Sequence, residues 1–159
     1  MRLHRRRFRV RGIRDSAQRG AAAVELAFVA PVIFALIMGI VDVGQFVNVS
    51  QTVSNASREA ARLAARYRSE SVSDVENAVS GYLGECFPSV APETLDTAVQ
   101  VNVRDGLGNV IPGGDLTTIP TGAAIDVEVV LSFNAVRWLG GVPLLNDQTL
   151  ATTTTTRRE

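Results

Sequence analysis

The sequence predicts an α+β protein in which one long N-terminal helix, first membrane-spanning and then amphipathic, packs on a small antiparallel sheet. An apolar run of about 21 residues, at 21–41, is long enough to cross a bilayer as a helix. Apolar residues then recur at steps of three and four up to about Arg68, as on one face of a helix. From Thr97 onward they alternate with polar residues, which is typical of half-buried strands.

The apolar run starts directly after Gly20 and contains one carboxylate, Glu25. A charged side chain inside a membrane span costs a few kcal/mol, so we interpret Glu25 as a functional group. Pro31 lies within the run and predicts a kink, because proline removes one backbone hydrogen bond. We place the transmembrane helix at residues 21–43.

Charge is distributed unequally along the chain. Residues 2–19 hold eight Arg and one Asp, a net charge of +7, whereas residues 20–159 hold eight Arg and fifteen acids, a net charge of −7. Positive charge beside a span stays in the cytoplasm. We therefore expect residues 1–20 to form a basic cytoplasmic leader, disordered over residues 1–19, that contacts anionic lipid headgroups. The bulk of the chain beyond the span is expected outside the cytoplasm. Because the Arg run adjoins a span, no nucleic-acid partner is expected.

Residues 44–70 predict an amphipathic continuation of the same helix. Its arginines, Arg58, Arg62 and Arg66, recur at steps of four beside Glu59 and indicate a solvated row. We expect the part of its apolar stripe after Val53 to pack on the downstream domain. The stripe consists of Phe46, Val49, Val53, Ala56, Ala60, Leu63 and Tyr67.

Residues 71–159 predict a small α+β head domain. A second helix is expected at 71–87, with a capping box formed by Ser73 and Glu76, and Pro88 and Pro92 are expected to end helical structure. Three strands follow, the first through Val99, Val101 and Val103. The second carries Ile125, Val127, Val129, Leu131 and Phe133, and the third spans residues 149–157. A loop or irregular hairpin at 106–122 joins the first two strands.

The residue types argue against an enzyme. His4, in the leader, is the only histidine, and the chain has no lysine, so the exported part lacks the residues for a Ser-His-Asp triad, a Ser-Lys dyad or a Cys/His metal site. We expect no cofactor, no metal and no small-molecule substrate. Cys86 is alone and is either a buried apolar residue or a source of an intermolecular disulfide.

Two sets of carboxylates are possible catalytic or calcium-binding sites. Asp126 and Glu128 lie two residues apart on one strand face, where a solvated surface is favoured over a glycosidase pair. Asp105 and Asp115, with Asn109, could bind calcium, but their spacing matches no calcium loop.

The N-terminal third resembles a prepilin leader and span. The residues that carry the resemblance are Arg19-Gly20-Ala21-Ala22-Ala23-Val24-Glu25-Leu26-Ala27, Pro31, Gly39-Ile40-Val41-Asp42-Val43-Gly44 and Asn55-Ala56-Ser57-Arg58-Glu59-Ala60-Ala61-Arg62, with a weaker return at 150–158. This pattern is similar to that of TadE/TadG-like proteins, minor pseudopilins of the tight-adherence (Tad) pilus system. Related major pilins usually have Tyr after the Glu; Leu26 stands there in this chain and favours a minor component.

The resemblance implies a pilin-like fold and an assembly role. A prepilin peptidase would cut after Gly20, leaving an α-ammonium on Ala21, and Glu25 would meet the ammonium of a neighbouring subunit. The implied partners are the bacterial inner membrane, the peptidase and other pilin or pseudopilin subunits of a filament used in adhesion. The implied location is single-pass in the inner membrane, with a cytoplasmic N-terminus and a periplasmic or extracellular head.

Two other functions remain open from the sequence. One is a membrane-anchored extracytoplasmic binding module that is neither cleaved nor assembled into a filament. The other, an anchored envelope hydrolase, is disfavoured by the missing His and Lys.

Overall fold

The computed structural model describes residues 12–66, 71–138, 145 and 147–159, with side chains from Gly20 onward. Two compact units divide the chain, residues 1–40 and residues 41–159. The first unit contains the N-terminal part of the long helix. The second contains the remainder of that helix and the whole head domain.

The long helix, α1, spans Gly12–Ala65 and includes Pro31. It begins earlier than Ala21, so the prediction of a disordered leader is wrong for residues 12–19. This stretch has no proline before Gly20 and contains Arg, Ala and Gln, which favour helix. Residues 1–11 of the predicted leader lie outside the described residues, as do Tyr67 and Arg68 near the predicted helix end.

Within the second unit, α1 buries one apolar face against the head. The buried residues are Val49, Val53, Ala56, Ala60, Ala61 and Ala64. The predicted stripe is confirmed up to Ala60, after which Ala64 is fully buried and Leu63 is only half-buried. Residues at a strict seven-residue repeat do not stay on one side of a straight helix with 3.6 residues per turn. Towards the end of α1 the buried side of the helix therefore includes Ala64 in place of Leu63. Arg58, Arg62 and Arg66 are exposed, as predicted.

The second helix, α2, spans Val72–Cys86 and is capped two residues earlier than predicted. Ser71 Oγ accepts from the Asp74 N–H at 3.3 Å, and the Ser71 N–H donates to Asp74 Oδ2 at 3.3 Å. The assignment of the capping box to Ser73 and Glu76 is therefore wrong. Both pairs fit the pattern, but the earlier start places Val72 in the helix, where it packs against the core.

Pro88 and Pro92, which were both predicted to end helical structure, have opposite effects. α2 ends at Cys86, before Pro88, as expected. Pro92 instead begins a short helix, α3, at Pro92–Ala98. The prediction that Pro92 ends helical structure is wrong, because proline is well suited to the first helical position, where its missing N–H has no helical partner.

Three strands form an antiparallel sheet in the order β1-β2-β3: Val99–Asp105, Ala124–Ser132 and Thr149–Arg157. In β2 every second residue is buried, and Ile125, Val127, Val129 and Leu131 are fully inaccessible. Phe133 is also buried, but it starts a one-turn helix, α4, at Phe133–Val136 instead of extending the strand. The link from β1 to β2 contains two 3₁₀ turns, at Pro112–Gly114 and Leu116–Thr118.

One face of the sheet packs on the helices, so the predicted α+β, pilin-like arrangement of a long helix on a three-stranded antiparallel sheet is confirmed. Ser57, which is buried in α1, has its Oγ 3.2 Å from the Val127 carbonyl oxygen and 2.8 Å from Thr154 Oγ1. These contacts satisfy a buried hydroxyl and connect α1 to two adjacent strands.

The C-terminal end of the chain closes the C-terminal end of α1. Arg158 is buried, and its Nη1 donates to the Ala64 carbonyl at 2.7 Å; the Glu159 N–H donates to the Ala65 carbonyl at 2.9 Å. The last carbonyls of a helix have no partner within it, and a cation there also interacts favourably with the helix dipole.

Candidate membrane-anchoring and assembly site

The first unit presents apolar side chains all around the helix. Large apolar residues from Val24 to Ile40 are exposed, among them Phe28 at 77% and Ile40 at 73%. A helix that is apolar on every side is stable when it is surrounded by hydrocarbon or protein. Among the described residues, one helical stretch, Gly20–Ala65, is long and apolar enough to cross a membrane.

The three residues predicted to carry processing and assembly, Gly20, Ala21 and Glu25, all lie in α1 of the first unit. Ala21 and Glu25 are four residues apart and therefore lie on the same side of the helix, one turn from each other. Glu25 is exposed, and no hydrogen bond or ion pair reaches its carboxylate within the described part of the chain. The backbone is helical through Gly20, where an added Cβ would meet no atom within 4 Å.

A buried ion pair lies where the apolar run ends, and the sequence did not predict it. Arg137 donates from Nε to Asp42 Oδ1 at 2.8 Å and from Nη2 to Asp42 Oδ2 at 2.7 Å. The two side chains are only 5% and 4% exposed. Two parallel hydrogen bonds between a guanidinium and a carboxylate form the strongest common type of ion pair. Asp42 is the first charged residue after Glu25, so the pair neutralises the charge that directly follows the apolar run.

Two further contacts continue along α1 from this ion pair. Gln45 Nε2 donates to the Val136 carbonyl at 3.1 Å. The rings of Phe46 and Phe133 meet edge to face, with their centroids 5.3 Å apart. The Arg137 guanidinium carbon also lies 5.9 Å from the centroid of the Phe133 ring. Together these contacts attach the segment 133–137 to the helix that leaves the apolar run.

Residues 20–62 match the model of the TadE-like protein family. The chain carries a TadE-like domain. The domain begins at Gly20, the residue after which cleavage is predicted, and includes Glu25, Asp42 and the core-facing part of α1. Arg137, the ion-pair partner of Asp42, lies outside the matched residues. Comparisons with curated proteins and with solved structures gave no match.

Beyond the TadE-like domain, the carboxylates of the two possible catalytic and calcium-binding sets accept hydrogen bonds from neighbouring residues. Thr155 Oγ1 donates to Asp126 at 2.6 Å, and Asn102 Nδ2 donates to Glu128 at 3.1 Å, across the solvent-facing side of the sheet. These contacts fit the predicted solvated strand face. TadE-like proteins are generally not enzymes.

Asp105 and Asp115 each stabilise a separate turn. Hydrogen bonds from the side chain and backbone N–H of Asn109 lower the pKa of Asp105, and hydrogen bonds from Thr117 lower the pKa of Asp115. Since hydrogen bonds to a carboxylate favour its charged form, both groups act as acceptors that fix the conformation of the β1–β2 connection.

Cys86 is exposed at the end of α2, so the interpretation of a buried apolar thiol is wrong. The helix ends at Cys86, whereas Leu83, one turn earlier, is buried. Burial raises the pKa of the nearby Tyr82 hydroxyl, and the neighbouring Cys86 raises it further.

Proposed function

We propose that this chain is a minor pseudopilin-like component of a Tad pilus or secretion assembly, inserted in the bacterial inner membrane and assembled through α1. One observation carries the proposal. The TadE-like match begins at Gly20, where the apolar part of α1 also begins, and it includes the single carboxylate of that part, Glu25, which has no hydrogen bond or ion pair among the described side chains. The exposure of its apolar side chains supports contact with lipid and then with other subunits.

In this proposal a prepilin peptidase cuts the chain between Gly20 and Ala21. The new ammonium on Ala21 and the carboxylate of Glu25 then lie one helical turn apart. Opposite charges attract strongly in hydrocarbon, which offsets part of the cost of burying them. A Glu25 carboxylate bound to the Ala21 ammonium of a neighbouring subunit would therefore specify the axial register of one subunit against the next.

The orientation follows from charge. The net charge of +7 on residues 2–19 retains the N-terminus in the cytoplasm, so the head lies in the periplasm or outside the cell. A reporter that is active only in the periplasm should be active when fused after Glu159. An inactive reporter in a stably expressed fusion contradicts this orientation.

A second candidate is a membrane-anchored binding module whose leader is never removed. Two observations favour it: Leu26 replaces the Tyr of related major pilins, and α1 runs through the Gly20–Ala21 bond without a break. A peptidase acts on a locally unwound peptide, so a helical junction has to open before it can be cut.

The mass of the membrane-extracted chain separates the two candidates. A chain that begins at Ala21 supports the pseudopilin, and an intact leader supports the anchored module. Gly20→Leu should block processing without reducing membrane insertion. As a matched control, Leu107→Ala alters an exposed apolar residue in the β1–β2 connection and should leave processing unchanged.

Glu25 variants test assembly separately from insertion. Glu25→Ala should insert at least as well as wild type, because a costly charge is removed from the span, but it should enter the pilus less. Glu25→Asp should be intermediate, since the charge remains on a shorter side chain. Leu26→Ala is the control, because it shortens the neighbouring side chain without altering charge. Wild-type incorporation of Glu25→Ala would show that the ammonium pairing is wrong.

A further inference from the structure

Three contacts between α1 and the segment 133–137 occur in order along the helix. Phe133 packs against Phe46, the Val136 carbonyl accepts from Gln45, and Arg137 bonds to Asp42. As the segment advances from 133 to 137, its partners on α1 go back from 46 to 42. The segment therefore runs antiparallel to α1, and over these contacts it covers about 6 Å of helix at 1.5 Å per residue.

The next residue after Arg137 is Trp138, the only tryptophan of the chain, and it is 72% exposed. A large aromatic side chain that is this exposed leaves most of its apolar surface in contact with the surroundings. The next charged residue in the sequence is Asp147. The eight residues that follow Trp138 in the sequence therefore carry no charge.

The position of Asp42 in the sequence indicates where Trp138 lies relative to a bilayer. Residues 26–41 carry no charge and are almost entirely apolar, and Asp42 directly follows them in the same helix. A bilayer that surrounds the apolar run has its polar boundary close to Asp42. Since Arg137 is held on Asp42 by two hydrogen bonds, Trp138 is held at the same boundary.

Tryptophan is enriched at this depth in membrane proteins, because its ring is apolar while its indole N–H can donate to headgroups or water. We propose that Trp138 inserts into the headgroup region of the membrane and anchors the head domain there, on the side where α1 leaves the bilayer. The lipid interface is the partner of this surface. The Asp42–Arg137 pair acts as the positioning device, since it holds the residue before Trp138 against the helix.

Exposed apolar side chains on α1 next to Asp42 support this placement. Val43 is 55% exposed and Val47 is 48% exposed, and both lie within about one and a half turns of Asp42. The proposal rests on α1 spanning the membrane, as in the proposed function, but it does not require cleavage or filament formation.

The single tryptophan makes the test direct. The full-length chain is reconstituted in phosphatidylcholine vesicles, and flotation first establishes that it is anchored. The fluorescence of Trp138 is then measured with lipids brominated near the headgroup, with lipids brominated deep in the acyl chains, and with aqueous iodide. We expect emission at shorter wavelength than in urea, strong quenching by shallow bromines, and weak quenching by deep bromines and by iodide.

Two variants supply the controls. In Trp138→Phe/Leu107→Trp the reporter moves to a position that is 88% exposed in the β1–β2 connection, where iodide should quench it and brominated lipids should not. In Asp42→Leu/Arg137→Leu, Trp138 loses its attachment by the ion pair and no unpaired buried charge remains, so quenching by shallow bromines should fall and quenching by iodide should rise while the head stays folded. A merely structural role of the pair that left the tryptophan in place would not change these two values.

The outcomes distinguish this proposal from the proposed function. If the protein floats with the vesicles but Trp138 is quenched by iodide and not by brominated lipids, the lipid contact is wrong and the anchor stands. If Trp138 is shielded from water and lipid at high protein density and becomes accessible on dilution, a second protein covers it and the lipid contact is again wrong. A chain that does not float overturns both proposals.

Discussion

The Asp42–Arg137 pair allows a quantitative test of how the head is attached to α1. Arg137→Leu removes the guanidinium and leaves the Asp42 carboxylate buried, with 4% of its side chain exposed. Leaving one member of a buried ion pair without its partner costs about 3–5 kcal/mol. A domain is stabilised by about 5–15 kcal/mol in total, so the variant should lose a large part of its stability.

The reverse substitution and the double variant separate the charge from the packing. Asp42→Leu should also destabilise the head, because the Arg137 guanidinium then lacks its carboxylate. In Asp42→Leu/Arg137→Leu no uncompensated charge remains, and replacing a buried pair by apolar residues is often neutral or stabilising. We therefore expect the double variant to recover most of the stability that either single variant loses.

The assay is thermal unfolding of the full-length chain in detergent micelles, followed by near-ultraviolet circular dichroism, which reports the packing of the aromatic residues. For a domain of about 120 residues, 3–5 kcal/mol corresponds to a decrease in Tm of roughly 10–20 °C. Glu59→Ala is the matched control: it breaks an ion pair of the same 2.7 Å length whose side chains are exposed, and exposed pairs contribute little.

Two results would refute the reasoning. If the double variant is as unstable as Arg137→Leu alone, the two charges are not energetically coupled and the loss comes from packing. If all three variants unfold at the same temperature as the wild type, water reaches the pair and an unpaired charge there does not lower the stability.

Three other predictions concern the head. Val129→Asp should unfold it, because an unpaired charge in the core costs several kcal/mol. Asp126→Ala, on the solvent-facing side of β2, should have little effect. Equal melting temperatures for the two variants would show that β2 is misplaced. Arg158→Ala should lower the free energy of unfolding, measured with urea, by about 2 kcal/mol, because the charged hydrogen bond at the end of α1 is lost. An unchanged urea midpoint would show that water replaces the guanidinium as the donor. Because the folded-state pKa of Asp105 is lowered, its contribution to stability is present above its usual pKa and is lost as pH falls through the folded-state value. The protection of amides in the β1–β2 connection, measured relative to their intrinsic exchange rates, should therefore decrease below about pH 4, and Asp105→Asn should remove this pH dependence.

Local patterns predicted most of the fold. The alternation in β2 placed four buried residues correctly, and the Thr-rich segment formed β3 at the predicted bounds, because strand burial depends on a period of two that is visible in sequence. The capping box was misplaced because two overlapping serine–acid pairs satisfy the same local rule. Only the packing of Val72 on the core selects Ser71, and that contact is tertiary.

At the candidate site, too, the sequence predicted the groups that are close in sequence and not the contact between distant residues. Gly20, Ala21 and Glu25 lie within six consecutive residues of one helix, so their spacing alone places them together. The Asp42–Arg137 pair joins residues 95 positions apart. A lone Asp after an apolar run is a signal that a cation has to lie near it, because an isolated charge at that boundary is costly, but the head contains several arginines and nothing local selects one of them.

If the head is exported as proposed, the contacts at the end of α1 set a constraint on the order in which it folds. Arg158 donates to a carbonyl 94 residues earlier in the chain, and Glu159 donates to the next one. In the proposed orientation, the helix that anchors the chain in the membrane is thus completed by residues that follow β3 in the exported head. Before these residues are in place, β2 lacks its neighbour β3, and an unpaired strand is open to pairing with other chains. A subunit whose export stops before Arg158 would therefore have its anchor in place and its head unfinished, a state that a periplasmic protease could distinguish from the finished subunit.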